Sequence, residues 1–224
     1  MIDATGHALR YSLIVFDWDG TLIDSAPAIA ECIQLAARDM ALPVPDRERA
    51  SHVIGLGLHD SLRHAVPALP REQYSEFVAL YRKYFLERED TMGPFPGVRE
   101  LLPELRARGH CLAVATGKSR KGLERALEAS GLGALFAASR CADETSPKPH
   151  PAMLRELMQE LEVGARELLM VGDTSHDLEM ARNAGVEALA VTYGAHPAAA
   201  LRALEPRACV ASVAELSAWL KKHG

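Results

Sequence analysis

The chain has 224 residues, of which 48% are hydrophobic and 25% are charged, and its net charge is −5. This length and composition are typical of a globular protein with one large domain, or of a domain that carries an insertion. The acidic balance argues against a nucleic-acid partner, and no apolar run approaches the roughly 20 residues that span a bilayer.

The beginning of the chain carries no signal for secretion. Residues 1–10 lack the apolar core of a signal peptide. The cysteines Cys32, Cys111, Cys141 and Cys209 show no Cys-x-x-Cys spacing, so we expect free thiols in a reducing compartment. Together these features predict a cytoplasmic protein without a membrane partner.

The first predicted strand, Leu13–Phe16, is a short apolar run that ends in two aspartates. Asp17 and Asp19 are followed by Gly20, which indicates a turn with an unusual backbone. Two carboxylates are thus held close together on a rigid strand end, where like charges require a cation or a proton. Folding alone does not require such a pair of acids, so the pair predicts a site with a chemical function.

Helical patterns without a convincing strand follow over residues 24–92. Apolar stripes or shorter helical patterns are found at Ile29–Met40, Asp46–Ile54, Leu58–Val66 and Tyr74–Phe85. The glycines and prolines of Gly93–Gly97 are interpreted as a hinge. These patterns predict an all-helical cap domain over residues 24–92, inserted into a core domain that comprises residues 1–23 and 93–224.

Strands and helices alternate after the hinge. Apolar runs predict strands at Cys111–Ala115, Leu168–Val171 and Ala188–Val191, and a weaker strand at Phe136–Ser139. Helical stripes that end at a glycine lie between most of them, and a closing helix is expected at Val210–Leu220. The predicted fold class is α/β, with a Rossmann-like, doubly wound parallel sheet as the core.

Acids, a hydroxyl group and a lysine follow the predicted strands. Besides Asp17 and Asp19, these residues are Thr116, Gly117, Lys148, Asp173 and Asp177. Ligands of open parallel sheets bind outside the carboxyl ends of the strands. We therefore expect these side chains to meet at one rim of the sheet.

This set of groups fits a cation and a phosphate together. Mg²⁺ prefers oxygen ligands, and Asp17 and Asp173 are natural candidates. Thr116 and the amides after it, beginning with Gly117, can hold phosphate oxygens at a helix N-terminus, and Lys148 supplies positive charge. A carboxylate that faces a clamped phosphoryl group can attack it, while a second carboxylate transfers the proton.

The motifs resemble those of the haloacid dehalogenase-like hydrolase superfamily, and within it the phosphoglycolate phosphatase-like branch with a helical cap. They occur in family order, namely Asp17-Trp18-Asp19-Gly20-Thr21, Thr116-Gly117-Lys118, Lys148, and Gly172-Asp173 with Asp177. Any one of these motifs is weakly specific, whereas all four after their expected strands are strongly specific. The resemblance covers nearly the whole chain after about Tyr11.

The resemblance implies a role for each residue. Asp17 would be the nucleophile and a Mg²⁺ ligand, and Asp19 would be the general acid/base, with a backbone carbonyl that also binds Mg²⁺. Thr116 and Lys148 would bind the transferring phosphoryl group. Asp173 would be a further Mg²⁺ ligand.

The same resemblance implies that Asp177 orients a water bound to the metal and that the helical cap closes over the substrate. Family members that remove halogen lack an acid at the position of Asp19, which argues against dehalogenation. We therefore expect a Mg²⁺-dependent phosphatase that forms an aspartyl-phosphate. Its partner would be a small phosphate ester of the phosphoglycolate or sugar-phosphate kind, and the protein would be a monomer or homodimer.

Two other functions fit the same motifs. A phosphomutase of the β-phosphoglucomutase type would share the rim residues, because only the cap decides whether water or a sugar hydroxyl accepts the phosphoryl group. A non-catalytic phosphate-binding regulatory module is the second alternative, since fold does not imply function. It is less favoured because every essential acid is present.

Several residues also have a simpler interpretation. Asp173 and Asp177 could cap a helix and interact with its dipole. Lys118 is expected to be a solvated charge. His52 is near other cap histidines in sequence, but their spacing does not match that of a zinc site.

Overall fold

The computed structural model describes residues 9–224, which form a six-stranded parallel sheet. Its strands are β1 Leu13–Phe16, β2 Cys111–Thr116, β3 Ala138–Cys141, β4 Leu168–Gly172, β5 Glu187–Val191 and β6 Ala208–Val210. The spatial order is β3-β2-β1-β4-β5-β6, and all neighbours are parallel. The chain winds outward from β1 in both directions, so the expected doubly wound α/β fold is confirmed.

The α-helices lie between the strands and after the last one. Those between β1 and β2 are α1 Ala26–Asp39, α2 Arg47–His52, α3 Leu58–Ala65, α4 Tyr74–Leu86 and α5 Val98–Ala107. Those that follow are α6 Arg120–Ser130, α7 Ala152–Glu160, α8 Ser175–Ala184, α9 Ala198–Arg202 and α10 Val213–His223. Within residues 9–224, no helix is both long enough and apolar enough to cross a membrane.

The central strands are buried on both faces of the sheet. In β1, Ile14 and Phe16 belong to one hydrophobic cluster, whereas Leu13 and Val15 belong to a second cluster. Alternate residues of a strand point to opposite faces. This two-sided burial explains why the sequence shows uninterrupted apolar runs rather than alternation.

The segment of residues 24–92, here called the helical insertion, contains helices and no strand. Its apolar side chains form a hydrophobic cluster of their own, in which Ile29 and Ile33 of α1 are grouped with Leu62 of α3 and Phe77 of α4. The stripes found in the sequence therefore pack mainly against one another rather than against the sheet.

Both ends of the helical insertion are tied together by backbone hydrogen bonds. Asp24 N donates to Gly93 O at 2.9 Å, and Phe95 N donates to Leu22 O at 3.0 Å. The two connections between the insertion and the sheet therefore run side by side.

The edges of the sheet differ from the sequence-based prediction. Strand β3 begins at Ala138, whereas the apolar run predicted a strand from Phe136, and β6 was not predicted at all. Both edge strands are only partly buried. A continuous apolar run identifies strands that are covered on both faces, so it fails for short strands at an edge.

Candidate active site

The carboxyl ends of the central strands bring the predicted site residues together. Asp17 follows β1, Thr116 ends β2, Asp173 follows β4, and Lys148 lies in the loop after β3. All four residues are buried. The site lies where the winding of the chain changes direction, because β1 is flanked by β2 on one side and by β4 on the other.

Lys148 is a fully buried cation held between two carboxylates. Its Nζ lies 2.6 Å from Asp17 Oδ1 and 2.6 Å from Asp177 Oδ1. Burial lowers the pKa of Lys148, but the charges of Asp17 and Asp177 and their hydrogen bonds offset this effect and raise the pKa above its usual value. The ammonium group therefore remains charged although it is out of contact with solvent.

The carboxylates around Lys148 carry more negative charge than this one lysine can balance. Asp17, Asp173 and Asp177 can each place one oxygen within 4.8 Å of the others. Burial raises the pKa of Asp17 to about 7 despite the nearby charge of Lys148. Burial, with the charges of Asp17 and Asp177, also raises the pKa of Asp173 well above its usual range.

One oxygen of this cluster is available to a ligand. Asp17 Oδ2 is buried and has no hydrogen-bond partner among the described residues. A buried, unpartnered carboxylate oxygen within a cluster that is short of positive charge fits a hard divalent cation. The residues present therefore fit the Mg²⁺ ion that the sequence predicts.

Asp173 is oriented by two hydrogen bonds. Thr21 Oγ1 donates to Asp173 Oδ1, and Ala195 N donates to Asp173 Oδ2, each at 2.7 Å. Gly20 adopts a φ of 82°, and a Cβ at this position would lie 2.2 Å from Asp173 Oδ2. The turn after β1 thus requires glycine for both its backbone conformation and this close approach.

Asp177 caps a helix and faces the buried lysine at the same time. Its Oδ2 accepts hydrogen bonds from Thr174 N at 3.1 Å and from Thr174 Oγ1 at 2.7 Å, at the start of α8. Its Oδ1 is the oxygen beside Lys148. The helix-capping interpretation therefore describes one oxygen of Asp177 and leaves the other for the active site.

The side chain of Asp19 is held by a serine and a lysine. Ser25 Oγ donates to Asp19 Oδ1 at 2.7 Å, and Lys118 Nζ lies 2.9 Å from Asp19 Oδ2. The prediction of Lys118 as a solvated charge is wrong, because its side chain is only 13% exposed. Its position two residues after Thr116, in the same rim loop, is the signal that could have placed it in the site.

Thr116 and Gly117 lie beneath a turn of the helical insertion. Thr116 Oγ1 accepts a hydrogen bond from Lys118 N at 3.2 Å. A Cβ at Gly117 would lie 2.6 Å from the carbonyl oxygen of Gly55. The turn that contains Gly55 is therefore in direct contact with the loop that contains Gly117. A Cβ at Gly57 would likewise lie 2.9 Å from the side chain of Pro147. The turn that contains Gly55 and Gly57 therefore faces the active site.

One histidine of the helical insertion meets two histidines that are far from it in the sequence. His52 lies beside His176 and His196, with ring centroids 5.3 Å and 5.0 Å from its own. The carbonyl oxygen of His52 is 2.8 Å from His176 Nε2. Sequence spacing could not reveal this contact, because the two residues are 124 positions apart.

The chain is similar to curated phosphatases along most of its length. A family model described as haloacid dehalogenase-like hydrolase matches residues 14–191. The probable phosphatase IndB of Dickeya dadantii (strain 3937) is 39% identical over 210 residues, which are 91% of each chain. The phosphoglycolate phosphatase of Yersinia pseudotuberculosis is 32% identical over 209 residues, which cover 91% of this chain and 90% of the relative.

A solved structure has the same fold. It is described as a predicted phosphoglycolate phosphatase from Haemophilus somnus, and it matches with a TM-score of 0.81 and 28% identity. The match covers 92% of this chain and 96% of that chain. The match to the family model and the similarity to these relatives agree with the motifs at the sheet rim. The chain therefore belongs to the haloacid dehalogenase-like hydrolase family.

Proposed function

We propose that this hydrolase removes phosphate from a small phosphomonoester in a Mg²⁺-dependent reaction, with Asp17 as the nucleophile. The observation that carries the proposal is the buried Asp17 carboxylate, which has one oxygen on Lys148 and the other unpartnered among the described residues. Relatives that are named phosphatases support it.

Asp17, Asp173 and the backbone carbonyl of Asp19 would hold the metal. When bound, Mg²⁺ would neutralise the excess carboxylate charge and withdraw electrons from the phosphoryl oxygens. Asp177 also contacts Lys148, at 2.6 Å, and we assign it a positioning role for the lysine and for water at the site.

The side chains at the rim carry out the transfer of the phosphoryl group. Asp17 attacks phosphorus, so the new Asp17 O–P bond forms as the ester O–P bond breaks, and Asp19 gives its proton to the leaving oxygen. Thr116 and Lys148 bind the phosphoryl oxygens during this step. Water then attacks phosphorus and loses its proton to Asp19, which breaks the Asp17 O–P bond and releases phosphate.

The helical insertion, residues 24–92, is proposed to act as a cap over a core of residues 1–23 and 93–224. Its turn at Gly55 contacts the loop at Gly117, which supports a role in covering the substrate and excluding water. The four cysteines, all free, support the proposed cytoplasmic location.

Removal of Mg²⁺ is expected to abolish phosphate release. Without a divalent cation, the carboxylates of Asp17 and Asp173 repel the phosphoryl group that Asp17 must attack. Release of inorganic phosphate from a panel of phosphomonoesters should therefore fall to background in EDTA and return when excess Mg²⁺ is added.

Two outcomes of this measurement would contradict the proposal. Equal rates in EDTA and in Mg²⁺ would exclude metal dependence. Absence of phosphate release with conversion of one sugar phosphate to its isomer would indicate a phosphomutase.

Replacing Asp19 with asparagine is expected to affect the second half of the reaction most strongly. With 4-nitrophenyl phosphate the leaving group departs without a proton, so Asp19→Asn should still form the aspartyl-phosphate. The amide cannot take a proton from water, and steady turnover should fall roughly 10²- to 10⁴-fold. Rapid-mixing measurements should show a burst of nitrophenolate close to one equivalent per enzyme.

The burst separates a proton-transfer role from a structural one. A variant that is merely misfolded would lose the burst and the steady rate together. Normal steady turnover in Asp19→Asn would contradict the assignment of Asp19 as the acid and base.

A further inference from the structure

A cavity of about 270 Å³ lies between the sheet rim and the helical insertion. Asp17, Asp19 and Thr116 contribute to its lining at the rim. The same cavity would therefore hold both the reacting phosphoryl group and the organic group of the ester. An apolar cavity of about 150 Å³ is sufficient for one benzene molecule, so this volume is adequate for a phosphoryl group with a small ring.

The wall that faces the organic group is mostly apolar and partly aromatic. Side chains of the helical insertion form it, notably Ile33, Leu62, Phe77, Val78, Tyr81 and Phe85. The rings of Tyr81 and Phe85 lie 5.9 Å apart with a 29° angle between their planes. Such surfaces favour an apolar partner, because a charged group would lose its hydration without gaining a counter-charge.

Two of the cations at the cavity already have acidic partners. Lys118 Nζ lies 2.9 Å from Asp19 and 4.8 Å from the centroid of the Phe85 ring. Arg125 Nε lies 3.1 Å from Glu89 Oε1. Arg82 is exposed. Among the described residues that line the cavity, a carboxylate next to the phosphoryl group would therefore find only Arg82 without an acidic partner, and this cation is exposed to solvent rather than part of the buried apolar wall.

One polar group of the wall is free to select a substrate. Tyr81 lines the cavity, and its hydroxyl makes no hydrogen bond with the described residues. Burial and the charge of Asp19 raise the pKa of Tyr81 above its usual value, so the hydroxyl keeps its proton. It can therefore donate one hydrogen bond to a neutral oxygen or nitrogen on the organic group.

We propose that the substrate is a phosphomonoester whose organic group is apolar and carries a ring, rather than a compact charged ester such as phosphoglycolate. This inference rests on the proposed phosphatase function and names its substrate class. It differs from the phosphoglycolate or sugar-phosphate ester that the resemblance implies, because it is argued from the cavity wall.

The test compares esters with similar leaving groups. Benzyl phosphate, 2-phosphoglycolate and glucose 6-phosphate all release an alkyl alcohol, so differences in kcat/KM report recognition rather than leaving-group reactivity. We expect kcat/KM for benzyl phosphate to exceed that of both other esters by at least about tenfold. A preference for phosphoglycolate or glucose 6-phosphate would overturn the proposal.

A cation placed on the wall should reverse the preference. Val78→Lys introduces an ammonium group into the apolar surface, and the ratio of kcat/KM for benzyl phosphate to that for phosphoglycolate should fall at least about tenfold. The ratio does not depend on how much enzyme is folded. Val44→Lys is the matched control, because Val44 is 43% exposed and does not line the cavity; an equal change in both variants would overturn the proposal.

Binding of inert analogues separates this proposal from the phosphatase function. Benzylphosphonate and phosphonoacetate cannot be hydrolysed. They differ only in that the first carries a phenyl ring where the second carries a carboxylate. Calorimetric titration in Mg²⁺ should give a Kd for benzylphosphonate at least about tenfold lower. If benzylphosphonate binds more tightly but no ester is hydrolysed, only the proposed phosphatase function is contradicted. Tighter binding of phosphonoacetate would overturn the inferred substrate class.

Discussion

Asp17→Asn should lower phosphate release at least roughly 10³-fold, because an amide oxygen cannot form the covalent intermediate that the carboxylate forms. The fold should survive this change. Asparagine has nearly the shape of aspartate, and the substitution removes one of three clustered acids, while Lys148 keeps its contact with Asp177. Loss of activity without loss of structure is therefore the expected result.

The measurement is steady-state phosphate release in Mg²⁺, together with circular dichroism and thermal unfolding of each protein. Asp24→Asn is a suitable control, because Asp24 is exposed and lies seven positions from Asp17. The control should retain full activity. A rate within tenfold of the wild type for Asp17→Asn would exclude Asp17 as the nucleophile.

Replacing Lys148 with methionine should abolish activity and destabilise the metal-free protein by about 3–5 kcal/mol. Methionine fills a similar volume but leaves Asp17 and Asp177 without their shared counter-charge at 2.6 Å. Removing one partner of a buried ion pair is costly, since the remaining charge has neither water nor a partner. Urea unfolding in EDTA measures this loss as a lower midpoint.

A second substitution distinguishes the charge effect from poor packing. In the double variant Asp17→Asn/Lys148→Met one carboxylate is also neutral, so part of the lost stability should return. Lys221→Met is the surface control, because Lys221 is 53% exposed in its pair with Glu104, and it should change stability by less than about 1 kcal/mol. An unchanged midpoint for Lys148→Met would contradict the role of Lys148 as the counter-charge.

The two variants have different consequences because Asp17 and Lys148 contribute differently to the same cluster. Asp17 is an acid in a group with too much negative charge, so its neutralisation costs little stability. Lys148 is the buried cation of that group, so its loss affects both the fold and the reaction. Activity alone cannot separate these roles, whereas stability in EDTA can.

The parts of the fold that the sequence predicted well are those with two-sided burial. The runs that predicted β1, β2, β4 and β5 are apolar throughout, and each strand boundary was predicted to within one residue. Strand β6 has only three residues, Ala208–Val210, and is partly buried at the edge of the sheet; although these residues are apolar, the sequence analysis did not predict a strand here. A strand of three residues is too short to show a clear hydrophobic pattern, so apolar runs alone are a weak signal for such an edge strand.

The residues at the rim of the sheet could be predicted from the sequence, because residues that follow parallel strands meet at one edge of the sheet. The sequence therefore predicted that Asp17, Thr116, Lys148 and Asp173 would lie together. Which of them contact one another was decided only by the tertiary structure. Lys148 is 131 positions from Asp17, and no local pattern encodes such a pair.

Local sequence patterns likewise do not show which residues line the cavity. Lys118 appeared to be a surface charge in the sequence, yet the folded chain places it against Asp19 and Phe85. Local sequence sets the face that a helix buries, through the spacing of its apolar residues. The helical insertion packs over a sheet edge whose residues are distant in the sequence. This packing decides which charges are paired and which side chains face the substrate, so neither could be predicted from local sequence.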